Sequence, residues 1–409
     1  MTFKKRIITA IATGAVLVNA IAPIAFADTN LTVSGNGALS NNAVNVTNVS
    51  NTVVNQTNNA NITNNIHSDA STGGNSSNFN TGGNTTVKSG NATTNVDVTN
   101  AANLNQATVS CGCDNGSTSV NVTGNGAESA NGVNVTSANT VFLSQNNDAN
   151  FKNNVTANAL TGHNDASFDT GGSTLVKSGD ASTSVSVDNK ANANFATVGG
   201  PSDPSAGGSS VIISGNGALS NNGVNLAKIS AVVLDQVNDA NISNNVHANA
   251  KTGGNTSDFN TGGANVIVSG DATNDVSVDN LANFNAADVN CDCTFAGLTA
   301  KVAGNGAESD NGINADSVSS LFPDQINDAG LWNNVDPNAK TGDNDLGFST
   351  GSVYGDPVVW SGDANSTTSV SNAGNVNLLD NGNSFTLPGD WNVGVNFDLQ
   401  GLLSFLQLG

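Results

Sequence analysis

The sequence predicts an all-β repeat protein, with a parallel β-solenoid as the preferred architecture and a tandem array of β-sandwich domains as the alternative. Three observations carry this expectation. Five landmarks recur four times in one order, apolar residues alternate with polar ones, and Gly/Asn-rich turn sequences punctuate the alternation.

The landmarks come first. Gly-Asn-Gly-Ala recurs around Asn36, Asn125, Asn216 and Asn305, in steps of 89, 91 and 89. Gln56, Gln145, Gln236 and Gln325 keep the same steps. So do an Asn-Asn pair at 64–65, 153–154, 244–245 and 333–334, and a Thr-Gly pair starting at Thr72, Thr161, Thr252 and Thr341. A Ser-Gly-Asn/Asp-Ala string at Asn91, Asp180, Asp271 and Asp363 completes the set. The chain divides accordingly into a leader (1–27), repeat one (28–120), repeat two (121–206), repeat three (207–300), a degenerate repeat four (301–380) and an apolar C-terminal cap (381–409). Odd copies share Gly-Ala-Leu-Ser and even copies Gly-Ala-Glu-Ser, so the chain reads as a doubled pair. Pro323, Pro337, Pro357, Trp332, Tyr354 and Trp360 interrupt the fourth copy, as expected of a terminal repeat that meets water on one face.

Within a copy, Val44/Val46, Val96/Val98, Val133/Val135 and Val185/Val187 show period two, which puts them on one sheet face with Asn, Ser and Thr on the other. Gly-centred turns at Gly73, Gly82 and Gly90 suggest a finer spacing. Val33-Ser34-Gly35-Asn36 also resembles the segment Val87–Asn91. Together they predict coils of about 18 residues, about five per copy, and a rod on the order of 95 Å along the solenoid axis.

The leader carries Lys4, Lys5 and Arg6, then an apolar run from Ile7 to Ile24, then Ala25-Phe26-Ala27. This order is that of a secretory signal peptide, with Asp28 as the mature N-terminus. The expectation is a secreted, extracellular or cell-surface protein with no transmembrane span in the mature chain. A formal net charge of −21, with arginine only at Arg6, leaves no basic patch for nucleic acid.

Strings such as Gln145–Asn150 and Gly35–Ala38 resemble the strand-turn units of curli-type fibre subunits. The chain as a whole resembles Asn/Gly-rich surface repeat proteins of bacteria over most of residues 31–380. The resemblance implies self-assembly into extracellular fibres.

Cys111, Cys113, Cys291 and Cys293 follow the odd copies and, in an exported chain, are disulfide candidates. Local Cys-x-Cys bridges are the first expectation, because a stacked array would hold copies one and three apart. Crosslinks between molecules come second. No nucleophile elbow, spaced catalytic triad, zinc-binding helix motif or phosphate loop is present, so the chain is not expected to be an enzyme. His67, His163 and His247 lie far from the cysteines, so no structural zinc site is expected. Calcium is the one cofactor to weigh, at Asp148, Asp165, Asp169, Asp180, Asp239, Asp258 and Asp271. Copy one has Asn at many of the corresponding places, so the fold is not expected to depend on it. The expected partners are further copies of the chain or surface polymers. The expected function is a structural surface or matrix protein. The alternative is an adhesin stalk that binds carbohydrate or protein through Trp332, Tyr354, Trp360 and Trp391.

Overall fold

The computed structural model describes residues 5–9, 16–20, 29–111, 118–199, 210–291, 299–350 and 356–380. Two short strands come first, β1 (Lys5–Thr9) and β2 (Val16–Ala20). Rung one contains β3 (Thr29–Ser34), β4 (Asn41–Gly73), β5 (Thr85–Lys88) and β6 (Ala92–Val109). Rung two contains β7 (Thr118–Thr123), β8 (Ala130–Gly162), β9 (Thr174–Lys177) and β10 (Ala181–Gly199). Rung three contains β11 (Ser210–Ser214), β12 (Asn221–Lys251), β13 (Asn265–Val268) and β14 (Ala272–Asn290). Rung four contains β15 (Thr299–Ala303), β16 (Asp310–Lys340), β17 (Val358–Trp360) and β18 (Ala364–Asp380).

Equivalent strands stack parallel and in register, giving the sheets β3-β7-β11-β15, β4-β8-β12-β16, β5-β9-β13-β17 and β6-β10-β14-β18. The fold is therefore the parallel β-solenoid. The coil, however, is a whole copy and not about 18 residues, since Gln56 pairs with Gln145 and Gln145 with Gln236. The described repeats make four rungs instead of about twenty. At about 4.8 Å between strands, four rungs span only about 14 Å from first to last. The 33-residue β4, at about 3.3 Å per residue, is on the order of 100 Å long. The long dimension thus runs along the strands, across the stacking axis, and the axial rod is corrected. The finer spacing was misleading for a local reason. Gly73, Gly82 and Gly90 all belong to one end region of the rung, from the last residue of β4 through the short strand β5 to the start of β6.

Each rung is a flattened loop. The long strand runs out, and the next long strand returns against it with its alternating residues turned inward. Val54 packs with Ala107 and Val109, Ile66 with Val96 and Val98, and Ala70 with Ala92. Val44 and Val46 pack against Val33 of β3. Small side chains suffice because each one in rungs two and three is covered above and below by its own equivalent. The column Ile62–Phe151–Ile242 is buried throughout. Each such aliphatic or aromatic side chain contributes roughly 1.5–3 kcal/mol.

The strands β1 and β2 both lie parallel along β6, Ile7 beside Val96 and Val18 beside Gln106. The C-terminal segment 381–409, with its expected capping role, lies outside the described residues.

A disulfide joins Cys111 to Cys291, with Cα atoms 5.6 Å apart. This corrects the expectation of a local Cys-x-Cys bridge. Copies one and three are indeed separated by rung two, but rung two carries glycine where the bond passes. A β-carbon on Gly199 would stand 2.8 Å from Cys111 Sγ and 2.1 Å from the Asn290 carbonyl oxygen. Cys113 and Cys293 lie outside the described residues.

Candidate functional site: amide ladders, aromatic stack and open rungs

The repeated asparagines and glutamines build hydrogen-bonded ladders. Gln145 Nε2 donates to Gln56 Oε1 at 2.8 Å, Gln236 to Gln145 at 2.7 Å and Gln325 to Gln236 at 2.6 Å. The Asn36 column is a second ladder, at the turn before the long strand. Asn125 Nδ2 donates to Asn216 Oδ1 at 3.0 Å, and Asn216 Nδ2 to Asn305 Oδ1 at 3.1 Å. The peptide N–H of Asn36 also donates to Asn125 Oδ1 at 3.2 Å. The structure therefore brings each set of four sequence landmarks into one column.

Two further ladders run between the facing sheets and tie them together. Asn64 Nδ2 donates both to Asn100 Oδ1 across the core at 2.9 Å and to Asn153 Oδ1 in the next rung at 2.8 Å. Asn153, Asn189, Asn244 and Asn280 continue the zigzag and are fully buried. A buried amide with both groups paired costs little, whereas one left unpaired costs about 1–3 kcal/mol. The ladders therefore fix register more than they add raw stability.

Aspartate enters columns at the surface. Asp148, Asp239 and Asp328 stack at one position, with Asn59 Nδ2 donating to Asp148 at 3.4 Å. Desolvation, and then the like charges of Asp148 and Asp328, hold the Asp239 carboxyl above the usual carboxylate range. Asp343 lies below that range because Lys340 hydrogen-bonds to it. Among the described residues, no three His, Cys, Asp or Glu side chains form a group that could hold a metal ion. Asp165 and Asp169 instead hydrogen-bond to Asn78 and Asn80 of rung one, and Asp258 to Gly347 of rung four.

Of the aromatic residues singled out in the sequence, Trp332 lies on β16 and Trp360 on β17, both exposed and on separate sheets. Tyr354 and Trp391 lie outside the described residues. The aromatic feature that sequence reasoning missed is a stack of Phe79, Phe168, Phe259 and Phe348. Its ring centroids lie 5.0, 4.9 and 4.9 Å apart, and its interplanar angles are 7°, 6° and 4°. Each of these residues has a positive φ, between 49° and 61°, which turns its ring outward at the end loop. The signal was available, since Phe-Asn/Asp/Ser-Thr-Gly recurs at each with the landmark steps.

No protein-family model matches the chain, and the comparisons with curated proteins and with solved structures found no match either.

Proposed function

We propose that this chain is an exported structural protein of the cell surface or extracellular matrix that associates with further copies of itself through its stacked β repeats. The observation that carries this reading is the investment of the core in rung-to-rung contacts. The ladders, the aliphatic columns and the phenylalanine stack all run along one axis and all reach the end rungs. The order of basic, apolar and small residues in 1–27 supports export, and the Cys111–Cys291 bond is compatible with an oxidising compartment. Calcium enters this reading only as an optional ligand of the exposed aspartates.

Immunogold labelling of intact cells, together with fractionation of medium, surface and cytoplasm, tests the reading. Label on the surface or between cells is expected; protein confined to the cytoplasm would overturn it. The adhesin reading has its own observation, the exposure of Trp332 and Trp360 on rung four. Glycan-array and host-protein binding that survives Trp332→Ala with Trp360→Ala would remove it.

A further inference from the structure

Each contact between successive rungs uses glycine. A β-carbon on Gly126, Gly217 or Gly306 would lie 2.3 Å from the peptide nitrogen of Ala38, Ala127 or Ala218 one rung below. A β-carbon on Gly179, Gly270 or Gly362 would lie 2.5, 2.4 or 2.2 Å from the carbonyl oxygen of Gly90, Gly179 or Gly270. The rung-one members of these two columns are Gly37 and Gly90. Among the described residues, nothing stands within 4 Å of where their β-carbons would be, and neither has the positive φ that favours glycine. Neither packing among the described residues nor backbone conformation explains glycine there. A further rung beneath would.

Rung one also ends two ladders on an unmet acceptor. In one, Asn58 donates to Asn147, Asn147 to Asn238 and Asn238 to Asn327. In the other, Asn103 donates to Asn192, Asn192 to Asn283 and Asn283 to Asn375. The oxygens Asn58 Oδ1 and Asn103 Oδ1 are buried and, among the described residues, have no hydrogen-bond partner. The side chains that would meet them in a continuing stack are Asn327 and Asn375, which belong to rung four.

Charge fits the same junction. Rung one carries Asn59 and Asn91 where rungs two to four carry Asp148, Asp239, Asp328 and Asp180, Asp271, Asp363. Each of the latter three donates its peptide N–H to the side-chain oxygen one rung below, at 2.9, 3.0 and 2.9 Å. An Asp363 beneath Asn91 would extend that pattern, and an Asp328 beneath Asn59 would face an amide instead of another carboxylate. The phenylalanine stack leaves Phe79 and Phe348 73% and 83% exposed, against 46% for the two inner rings.

Rung four carries one opposing device. The Asp310 peptide N–H donates to Ser220 of rung three. Peptide groups alternate along a strand, so Pro323 and Pro337, each an odd number of residues further on, direct their nitrogens away from rung three. They remove two donors from the outer edge without breaking a contact inside the chain.

We propose that rung one of one copy stacks in register on rung four of another, so that copies join head to tail, with Pro323 and Pro337 holding this junction weaker than the contacts between rungs of one chain. The proposal rests on the reading that residues 1–27 are removed, because β1 and β2 lie along the β6 edge of rung one.

The test is sedimentation velocity over a wide concentration range, with electron microscopy, on the exported protein after its intact mass has identified its first residue. The wild type is expected to form reversible chains of copies. Gly37→Val with Gly90→Val is expected to stay monomeric with an unchanged circular dichroism spectrum, since both β-carbons enter open space. Gly90→Ala alone, the smallest such change, is the second variant should the pair disturb the fold. Pro323→Leu with Pro337→Ala restores the residue types of rungs two and three and should associate at a roughly tenfold lower concentration. Association of wild type that is indifferent to both pairs of substitutions, or that stops at a dimer, overturns the junction and leaves the surface-protein reading standing. A protein that stays monomeric in every form overturns the junction and self-association together. A mass that includes residues 1–27 overturns the leader reading and, with β1 and β2 still on the edge of rung one, the junction that rests on it.

Discussion

Gln145 receives the amide of Gln236 on its Oε1 and gives its own amide to Gln56, so that one fully buried side chain links three rungs. Gln145→Ala leaves the Gln236 amide without its acceptor and opens a cavity. The expected cost is about 2–4 kcal/mol of stability, read from the urea midpoint. Gln325→Ala, at the outer rung, should cost less than half as much. Equal losses at the two positions would show that the ladder does not act through its neighbours.

Gly162 has Gly253 directly above it. A β-carbon there would stand 1.9 Å from the Gly253 carbonyl oxygen, and its own φ is +108°. Gly162→Ala should therefore destabilise the chain by at least about 3 kcal/mol. Gly132→Ala, a position open within 4 Å, serves as the control and should change the thermal midpoint little. Comparable midpoints for the two variants would contradict the close stacking of the end loops.

Asp239 predicts an unusual pH response. Its folded carboxyl titrates above its unfolded value, so between the two pKa values the folded chain binds more protons. Stability from this group is fully present below the unfolded pKa and is lost as pH rises through the folded one. Asp239→Asn should raise the thermal midpoint at pH 7, with the gain shrinking towards pH 4. A gain that persists undiminished in acid would assign the effect to something other than charge in the Asp148–Asp239–Asp328 column.

Reduction of the Cys111–Cys291 bond, or Cys111→Ser with Cys291→Ser, should lower stability by up to about 5 kcal/mol on the loop-entropy model. The strand registers do not depend on the bond, so the far-ultraviolet spectrum should survive below the melting point. Immediate loss of β signal on reduction at room temperature would show that the stack cannot hold itself together.

Much of this architecture was legible in the sequence because a solenoid writes its register directly. The steps between Asn36, Asn125, Asn216 and Asn305 are the offsets between stacked strands. The alternation of Val44 and Val46 is the inward face. Coil length was not legible, because strands of 31–33 residues lie far beyond the usual 3–10. A Gly or Asn that elsewhere marks a corner is here a ladder rung. The likeness of Val33–Asn36 to Val87–Asn91 was real but meant something else, since each is a short strand and turn leading into a long strand. The cysteine pairing escaped because it depends on Gly199, a residue of the copy between the two cysteines. The phenylalanine stack escaped because exposed aromatics at turns carry no periodic signal within a copy.

The disulfide also decides how the chain would respond to being pulled. Tension applied at its two ends passes through Cys111 and Cys291, which are separated by 180 positions, and bypasses the polypeptide between them. Rungs one and four can peel away strand by strand, but the two middle rungs stay off the load path while the sulfurs remain joined. At about 3.4 Å per residue, roughly 600 Å of hidden length is locked away from extension. A reductant would release it, so the redox state of one covalent link sets whether the molecule behaves under force as a short tether or a long one.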